Sequence, residues 1–262
     1  MNKKIRVTAV SYLNTKPLLY GLVHHTIADQ ITLSLNIPSV CAQQLRENEV
    51  DLALMPVAAI PEVPNAKIVS DYCIGTIGAV KTVCIYSELP LEKVNTIFMD
   101  YHSRTSAALS QLLAKEYWQI TPDFIHAEPG YIDQIGGSRA GLVIGDRTIG
   151  LDQRFEYVYD LGEIWMKHTG LPFVFAAWVA NKALPDAFVQ AFNEALALGL
   201  EHIPQLMFLL PTPEEKSFDL ETYFTKHISY YLDAGKKKAL ARFLTTIASQ
   251  KRKEADFFMV NS

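Results

Sequence analysis

No stretch of about 18 consecutive apolar residues, the length a membrane-crossing helix needs, occurs in the chain. After the basic Lys3, Lys4 and Arg6, the apolar run Val7–Val10 is short and broken by Thr8, which is too little for the core of a secretory signal. We therefore expect a cytoplasmic protein that does not engage a membrane. Cysteine is scarce: Cys41, Cys73 and Cys84 show neither a C-x-x-C spacing nor an even count, which argues against a zinc ribbon or a disulfide framework. They read as reduced, half-buried small hydrophobes. Positive charge is not in excess either, since 24 Lys and Arg against 28 Asp and Glu leave a formal charge of -4, and nucleic acid is not an expected partner. The short basic runs Lys236-Lys237-Lys238 and Lys251-Arg252-Lys253 read as solvated helix faces. There is no G-x-G-x-x-G, Walker loop or G-x-S-x-G, and His24, His25 and His102 have no metal-ligand spacing. The expected chemistry uses no cofactor and no metal.

What is present is an ordinary globular composition, 49% hydrophobic and 20% charged, in a 262-residue chain long enough for one or two domains. Strand-like and helix-like segments alternate, which predicts an α/β fold with largely parallel sheets. Strands are expected at Ile5–Val10, Thr32–Ile37, Asp51–Met55, Lys67–Ser70 and Val80–Tyr86, with helices at Lys16–Val23 and Val40–Asn48. A second series has strands Thr96–Met99, Asp123–His126, Gly141–Ile144 and Tyr157–Tyr159, a helix Arg104–Tyr117 and a short helix near Ile132. After the apolar strand in "LPFVFAAWVANKALPD" only helices are expected, at Asp186–Leu200, Leu220–Leu232 and Lys236–Ala248. Breaks at Tyr86–Val94 and His168–Phe173 predict residues 1–87 plus 174–262 as one lobe and 88–173 as an inserted second lobe. Two crossovers between α/β lobes make a hinged clamshell, whose ligand binds in the cleft.

Two helix starts carry the polar groups such a cleft needs. In "SYLNTKPL" Thr15 or Lys16 stands where a cap belongs and Pro17 lies in the first turn, with Ser11 and Asn14 beside the positive helix pole. In "DYHSRTSAALSQLL" Ser103 or Thr105 caps a helix, and Arg104 sits at the end where a cation is disfavoured unless an anion joins it. One such terminus per lobe points to a carboxylate or phosphate ligand. The plainer readings are turn geometry for Ser11 and Asn14, and pairing with Asp100 or solvation for Arg104. Thr82 reads as a strand-end donor or an ordinary strand residue, Asp146 as a helix cap or an acid–base group, and His168 as a structural residue or a proton carrier at a hinge.

The blocks "SYLNTKPL" (Ser11–Leu18), "DLALMPVA" (Asp51–Ala58), "SRTSAAL" (Ser103–Leu109), "IGDRTI" (Ile144–Ile149) and "TGLPFVFAAW" (Thr169–Trp178), in that order, resemble the chorismate dehydratases of the futalosine route to menaquinone. The resemblance spans nearly the whole chain. It implies a periplasmic-binding-protein-like clamshell of the second type used as a cytoplasmic lyase, which removes water from chorismate to give 3-[(1-carboxyvinyl)oxy]benzoate. Where the family's strand block usually carries Ser, this chain has Thr82, and the hydroxyl is kept. With chorismate as the ligand, we assign Arg104, Ser103, Thr105 and Ser106 to one carboxylate and Ser11, Thr82 and nearby backbone donors to the other. Tyr12, Val83, Gly145, Thr169 and Gly170 join them as lining residues, and Met55-Pro56 and Leu171-Pro172 form apolar walls. Asn14, Asp146 and His168 are the catalytic candidates, beside the substrate's own enolpyruvyl carboxylate as an internal base. Two rivals stay open: 1,4-dihydroxy-6-naphthoate synthase, whose N-terminal block differs from "SYLNTKPL", and a non-catalytic small-carboxylate receptor. The oligomeric state has no signature in the sequence.

Overall fold

The computed structural model describes residues 4–211 and 218–260, with side chains described as far as Gln250. Along the chain, β1 (Ile5–Val10), α1 (Lys16–His24), β2 (Ile31–Asn36), α2 (Pro38–Arg46), β3 (Leu52–Pro56) and β4 (Lys67–Thr76) come first. Next are β5 (Val83–Ser87), β6 (Thr96–Met99), α3 (Thr105–Leu113), β7 (Asp123–His126), β8 (Arg139–Ile144), β9 (Tyr157–Asp160) and α4 (Leu161–Thr169). The chain ends with β10 (Phe173–Ala180), α5 (Asp186–Glu201), α6 (Ile203–Leu209), α7 (Leu220–Thr222), β11 (Ser229–Tyr231) and α8 (Ala234–Val260).

Pairing sorts these strands into a six-stranded sheet, β11-β4-β10-β3-β1-β2, and a five-stranded sheet, β7-β6-β8-β5-β9. The sheets are mixed, not largely parallel. β1 runs parallel to β2 and β3, but β10 returns from the second lobe and pairs antiparallel with both β3 and β4. In the second sheet β5 is antiparallel to β8 and β9. All eight residues of β10 are buried, so its continuous apolar run marks a central strand covered on both faces.

Sheet membership moves the first crossing. β5, expected in the first lobe ahead of a boundary at residue 88, hydrogen-bonds within the second sheet, so the chain crosses between Thr76 and Val83. An apolar strand carries no label for its neighbours. The break at "YSELPLEKV" is a turn inside the second lobe, whereas the crossing itself holds two left-handed residues, Gly78 and Lys81. The tail also departs from expectation. Leu220–Leu232 is not a helix: α7 is one turn, followed by a π turn and by β11, which completes the first sheet. α3 stops at Leu113 and passes into a π turn, and α4 was not foreseen. Lys236, expected on a solvated face, is 1% exposed, with its ammonium 2.9 Å from Asp233. The side chains of Lys251, Arg252 and Lys253 lie outside the described residues. The three cysteines are free and fully buried, and burial pushes the Cys41 thiol up to about 11 and that of Cys73 to about 12.

α1 and α5 cross at very short range. A Cβ on Gly21 would lie 1.8 Å from the Ala195 carbonyl oxygen, and one on Gly199 would lie 2.0 Å from that of Pro17. Both atoms are backbone and cannot yield without moving a helix. The crossing thereby fixes α1, and with it the Ser11–Thr15 segment that leads into α1. Gly199→Ala should lower unfolding free energy by about 1–3 kcal/mol, read as a reduced midpoint in urea with an unchanged slope. A midpoint equal to wild type would mean that the helices separate freely.

Candidate active site

Three polar segments face one another between the lobes. Thr15 precedes α1, and its hydroxyl donates to Asn14 Oδ1 at 3.1 Å, while the Tyr230 hydroxyl donates to the Asn14 carbonyl at 2.9 Å. Across the cleft Ser103 Oγ accepts the Ser106 N–H at 3.1 Å, closing the first turn of α3. Thr82, at the root of β5 and 1% exposed, holds its hydroxyl 2.8 Å from the Tyr223 hydroxyl. The space between them is a cavity of about 60 Å³.

The lobes touch around this cavity, and each contact uses one of the quoted blocks. Tyr12 Oη lies 2.5 Å from His102 Nδ1. The Leu13 amide donates to the Asp146 carboxylate at 3.0 and 3.2 Å. Ala58 N–H donates to Thr105 Oγ1 at 3.2 Å, and Arg104 reaches Glu62 at 3.4 Å. Tyr12 packs so tightly on Gly145 that a Cβ there would come within 2.8 Å of the ring, and the left-handed φ of 68° at Gly145 excludes a side chain as well. The cleft is closed.

Behind His102 lies a rigid support. The fully buried Asp100 carboxylate accepts from Arg147 at 2.6 Å, the Tyr131 hydroxyl at 3.0 Å, and the amides of His102 at 2.9 Å and Ile144 at 3.0 Å. Burial works against the Arg147 charge, but the Asp100 hydrogen bond overcomes it and raises the guanidinium above its usual range. Burial and then Arg147 depress His102, with Asp100 opposing. Burial raises Asp146, while the Leu13 amide and Lys16 pull it down.

Of the residues singled out in the sequence, Tyr12, Asn14, Pro56, Thr82, Val83, Ser103, Arg104, Thr105, Ser106 and Gly145 line the cavity. Arg104 is the one formally charged side chain among the described lining residues, and its partner is Glu62, because Asp100 belongs to Arg147. The others lie elsewhere. Ser11 is exposed with its amide on the Asn36 carbonyl, and Met55 is buried in the core. Asp146 caps no helix but clasps Leu13. His168 sits in the last turn of α4, just before the second crossing, 3.4 Å from Glu116 and away from the cavity. Thr169, Gly170, Leu171 and Pro172 form the stop of α4: Thr169 Oγ1 donates to the Trp165 carbonyl and accepts from the Leu171 amide, Gly170 is left-handed, and the Pro172 carbonyl accepts from the Trp165 indole.

The same block reaches the cavity further on, through Phe175 and Ala176. With Val10, Pro38, Ile74, Val80 and Ile144 they make its apolar wall. Sequence reading passed over these residues because nothing distinguishes a cleft-facing apolar side chain from a core one. Among the described residues no group of three or more His, Cys, Asp or Glu could hold a metal ion, and no helix is long and apolar enough to cross a membrane.

Two lobes, two crossings and a cavity between the lobes define a periplasmic-binding-protein-like fold, and solved structures agree. A protein of Archaeoglobus fulgidus matches with a TM-score of 0.69 at 15% identity over 95% of this chain and 97% of its own. A Candida albicans protein described as having the generic periplasmic binding protein fold matches with a TM-score of 0.59 at 12% identity, over 94% of this chain and 90% of its own. The aliphatic sulphonate binding protein of Escherichia coli gives 0.55 at 14% identity, over 100% of this chain and 93% of its own. A family model described as menaquinone biosynthesis matches residues 5–249, and the chain belongs to that family. It is also 28% identical over 216 residues to the chorismate dehydratase of Thermus thermophilus, covering 74% of this chain and 77% of that protein.

The Tyr12–His102 contact makes closure pH-dependent. With the imidazole proton on Nε2, Nδ1 accepts the phenol proton, and the lowered pKa of His102 means that the closed form favours the neutral ring. Closure is thus strongest above the ordinary histidine pKa of roughly 6.5 and is lost as pH falls through the depressed value. The radius of gyration from small-angle scattering should increase on acidification from pH 7.5 to 5, and Tyr12→Phe should already be expanded at pH 7.5. A radius that is the same at both pH values in wild type would refute this.

Proposed function

We propose that this chain is a chorismate dehydratase, a hydro-lyase that converts chorismate to 3-[(1-carboxyvinyl)oxy]benzoate. The observation that carries the proposal is the cavity of a menaquinone-biosynthesis family member, with one cation, Arg104, and hydroxyl and amide groups set in an apolar wall. Chorismate is a small dicarboxylate with a ring hydroxyl and an apolar body. Arg104 at the start of α3 pairs with one carboxylate, helped by the Ser103 and Ser106 hydroxyls, and Thr82 and Asn14 attend the opposite end of the ligand.

The reaction needs a base for the hydrogen on the ring carbon that bears the enolpyruvyl ether, and a route out for the neighbouring hydroxyl. Neither protein candidate lines the cavity: Asp146 is held by the Leu13 amide and His168 stands beside Glu116 on α4. This supports a substrate-assisted scheme. The enolpyruvyl carboxylate takes the ring proton, the C–O bond breaks, and the departing hydroxide collects that proton as water, leaving an aromatic ring. The substrate supplies the base, and the protein holds the conformer, an arrangement that can contribute roughly 7–11 kcal/mol when geometry is near attack. Closure around the cavity excludes water and strengthens each remaining polar contact.

Mixing the protein with chorismate should give a product lighter by one water, measured by mass spectrometry. Asp146→Asn and His168→Gln should each lose less than about a hundredfold in kcat, and Asn14→Ala more than either. Chorismate that binds in calorimetry but is returned unchanged would make the protein a receptor. A loss beyond about a thousandfold in Asp146→Asn or His168→Gln, with folding and affinity intact, would make that side chain the base. Arg104, half-exposed and already paired with Glu62, has a moderate expected role: Arg104→Ala should weaken chorismate binding by about 1.5–3 kcal/mol with an unchanged melting temperature. Affinity within twofold of wild type would remove Arg104 from the site.

A further inference from the structure

Tyr223 belongs to none of the sequence blocks. It opens the π turn that follows α7, is 1% exposed, and does not line the cleft. Its hydroxyl nevertheless lies 2.8 Å from Thr82 Oγ1, which does line the cleft. Tyr230, a few residues on, holds the Asn14 carbonyl. One short piece of the tail therefore touches both polar groups assigned above to the far end of the ligand.

The direction of these bonds decides what the cleft is offered. Thr82 and Tyr223 carry one hydroxyl proton each, so only one of them donates to the other. If Thr82 donated, it would present lone pairs alone to the cavity; if Tyr223 donates, the Thr82 proton is free to point into it. The acidity of the pair favours the second arrangement: a phenol is the stronger acid and an aliphatic hydroxyl the better acceptor, so the Tyr223 proton points to Thr82 Oγ1.

We propose that Tyr223 is a positioning residue for the dehydration: by donating to Thr82 Oγ1 it aims the Thr82 hydroxyl proton at the departing ring hydroxyl. This role rests on the dehydratase reading. No proton is consumed, because the leaving hydroxide takes the one removed from the ring carbon, and Thr82 contributes a hydrogen bond that strengthens as the C–O bond breaks. Burial raises the Tyr223 pKa, so the phenol keeps its proton throughout and stays a donor.

The test is a double-mutant cycle on chorismate turnover with Tyr223→Phe, Thr82→Ala and both together, with melting temperatures measured alongside. Tyr223→Phe should lower kcat about tenfold, the scale of one hydrogen bond, with KM within twofold. Added to Thr82→Ala, it should cost nothing more, because its effect passes through that hydroxyl. A kcat equal to wild type, or the same loss in the Thr82→Ala background, would overturn the proposal while leaving the dehydratase reading intact. Absence of turnover in the wild-type protein itself would remove both. Should Tyr223→Phe not fold, Tyr223→3-fluorotyrosine keeps the ring and makes the phenol a stronger donor. An unchanged kcat there would also count against the role, and a change of about twofold or more, with KM steady, supports it.

Discussion

The segment Ser11–Lys16 is held from both sides, and the rest of the cleft depends on it. On one side α1 is pinned to α5 by two glycines that leave no room for a side chain. On the other, the Leu13 amide and the Tyr12 ring reach the second lobe at Asp146, His102 and Gly145. Asn14 lies between these anchors. Its position relative to α3 is thus set by backbone packing and short polar contacts, so a rigid first lobe delivers its amide to the same place on each closure.

Closure also explains the polarity of the cavity. Asp51, Asp100, Asp146 and Asp160 all lie in or beside the quoted blocks or the first crossing, yet none lines the cleft, since each is tied up elsewhere. Asp51 shows how: burial pushes its pKa up, but Arg6 and Lys182 hold it well below the usual carboxylate range. With the acids spoken for, Arg104 sets the sign of the field in a largely apolar space, where a single cation acts over a longer range than in water. Under the proposed function, an anionic ligand competes with Glu62 for it. That exchange swaps one carboxylate for another, and its cost is small because both Arg104 and Glu62 stay partly exposed.

Much of this was legible in the sequence because helix starts advertise themselves. Ser103, Thr105 and Arg104 before an amphipathic run, and Asn14-Thr15 before Pro17, put donors where an anion belongs, and all of these but the buried Thr15 line the cavity. Sheet membership was not legible. Val83–Ser87 reads as a buried strand wherever it pairs, so the crossing was set one strand too late. "TGLP" misled in another way: its Thr, Gly and Pro are the ordinary stop of α4, with the cleft contact carried further along by Phe175 and Ala176. Tyr223 left no trace, since a tyrosine in the tail acquires its meaning only when β11 docks beside β4.

The first crossing is tied to the second lobe by Asp160. Its carboxylate accepts from Val80 and Lys81 on the crossing and from Gly162 and Glu163 at the start of α4. Burial pushes its pKa up while these four amides work the other way. Lys81 is kept in its left-handed conformation by the bond its amide makes to Asp160. Thr82 follows directly, with its carbonyl taking the Gly145 amide at 2.9 Å, so it travels with the second lobe. Tyr223 and Asn14 travel with the first. The Thr82–Tyr223 hydrogen bond therefore joins the two lobes directly beside the first crossing, so the polar end of the cleft is held where the chain itself passes from one lobe to the other.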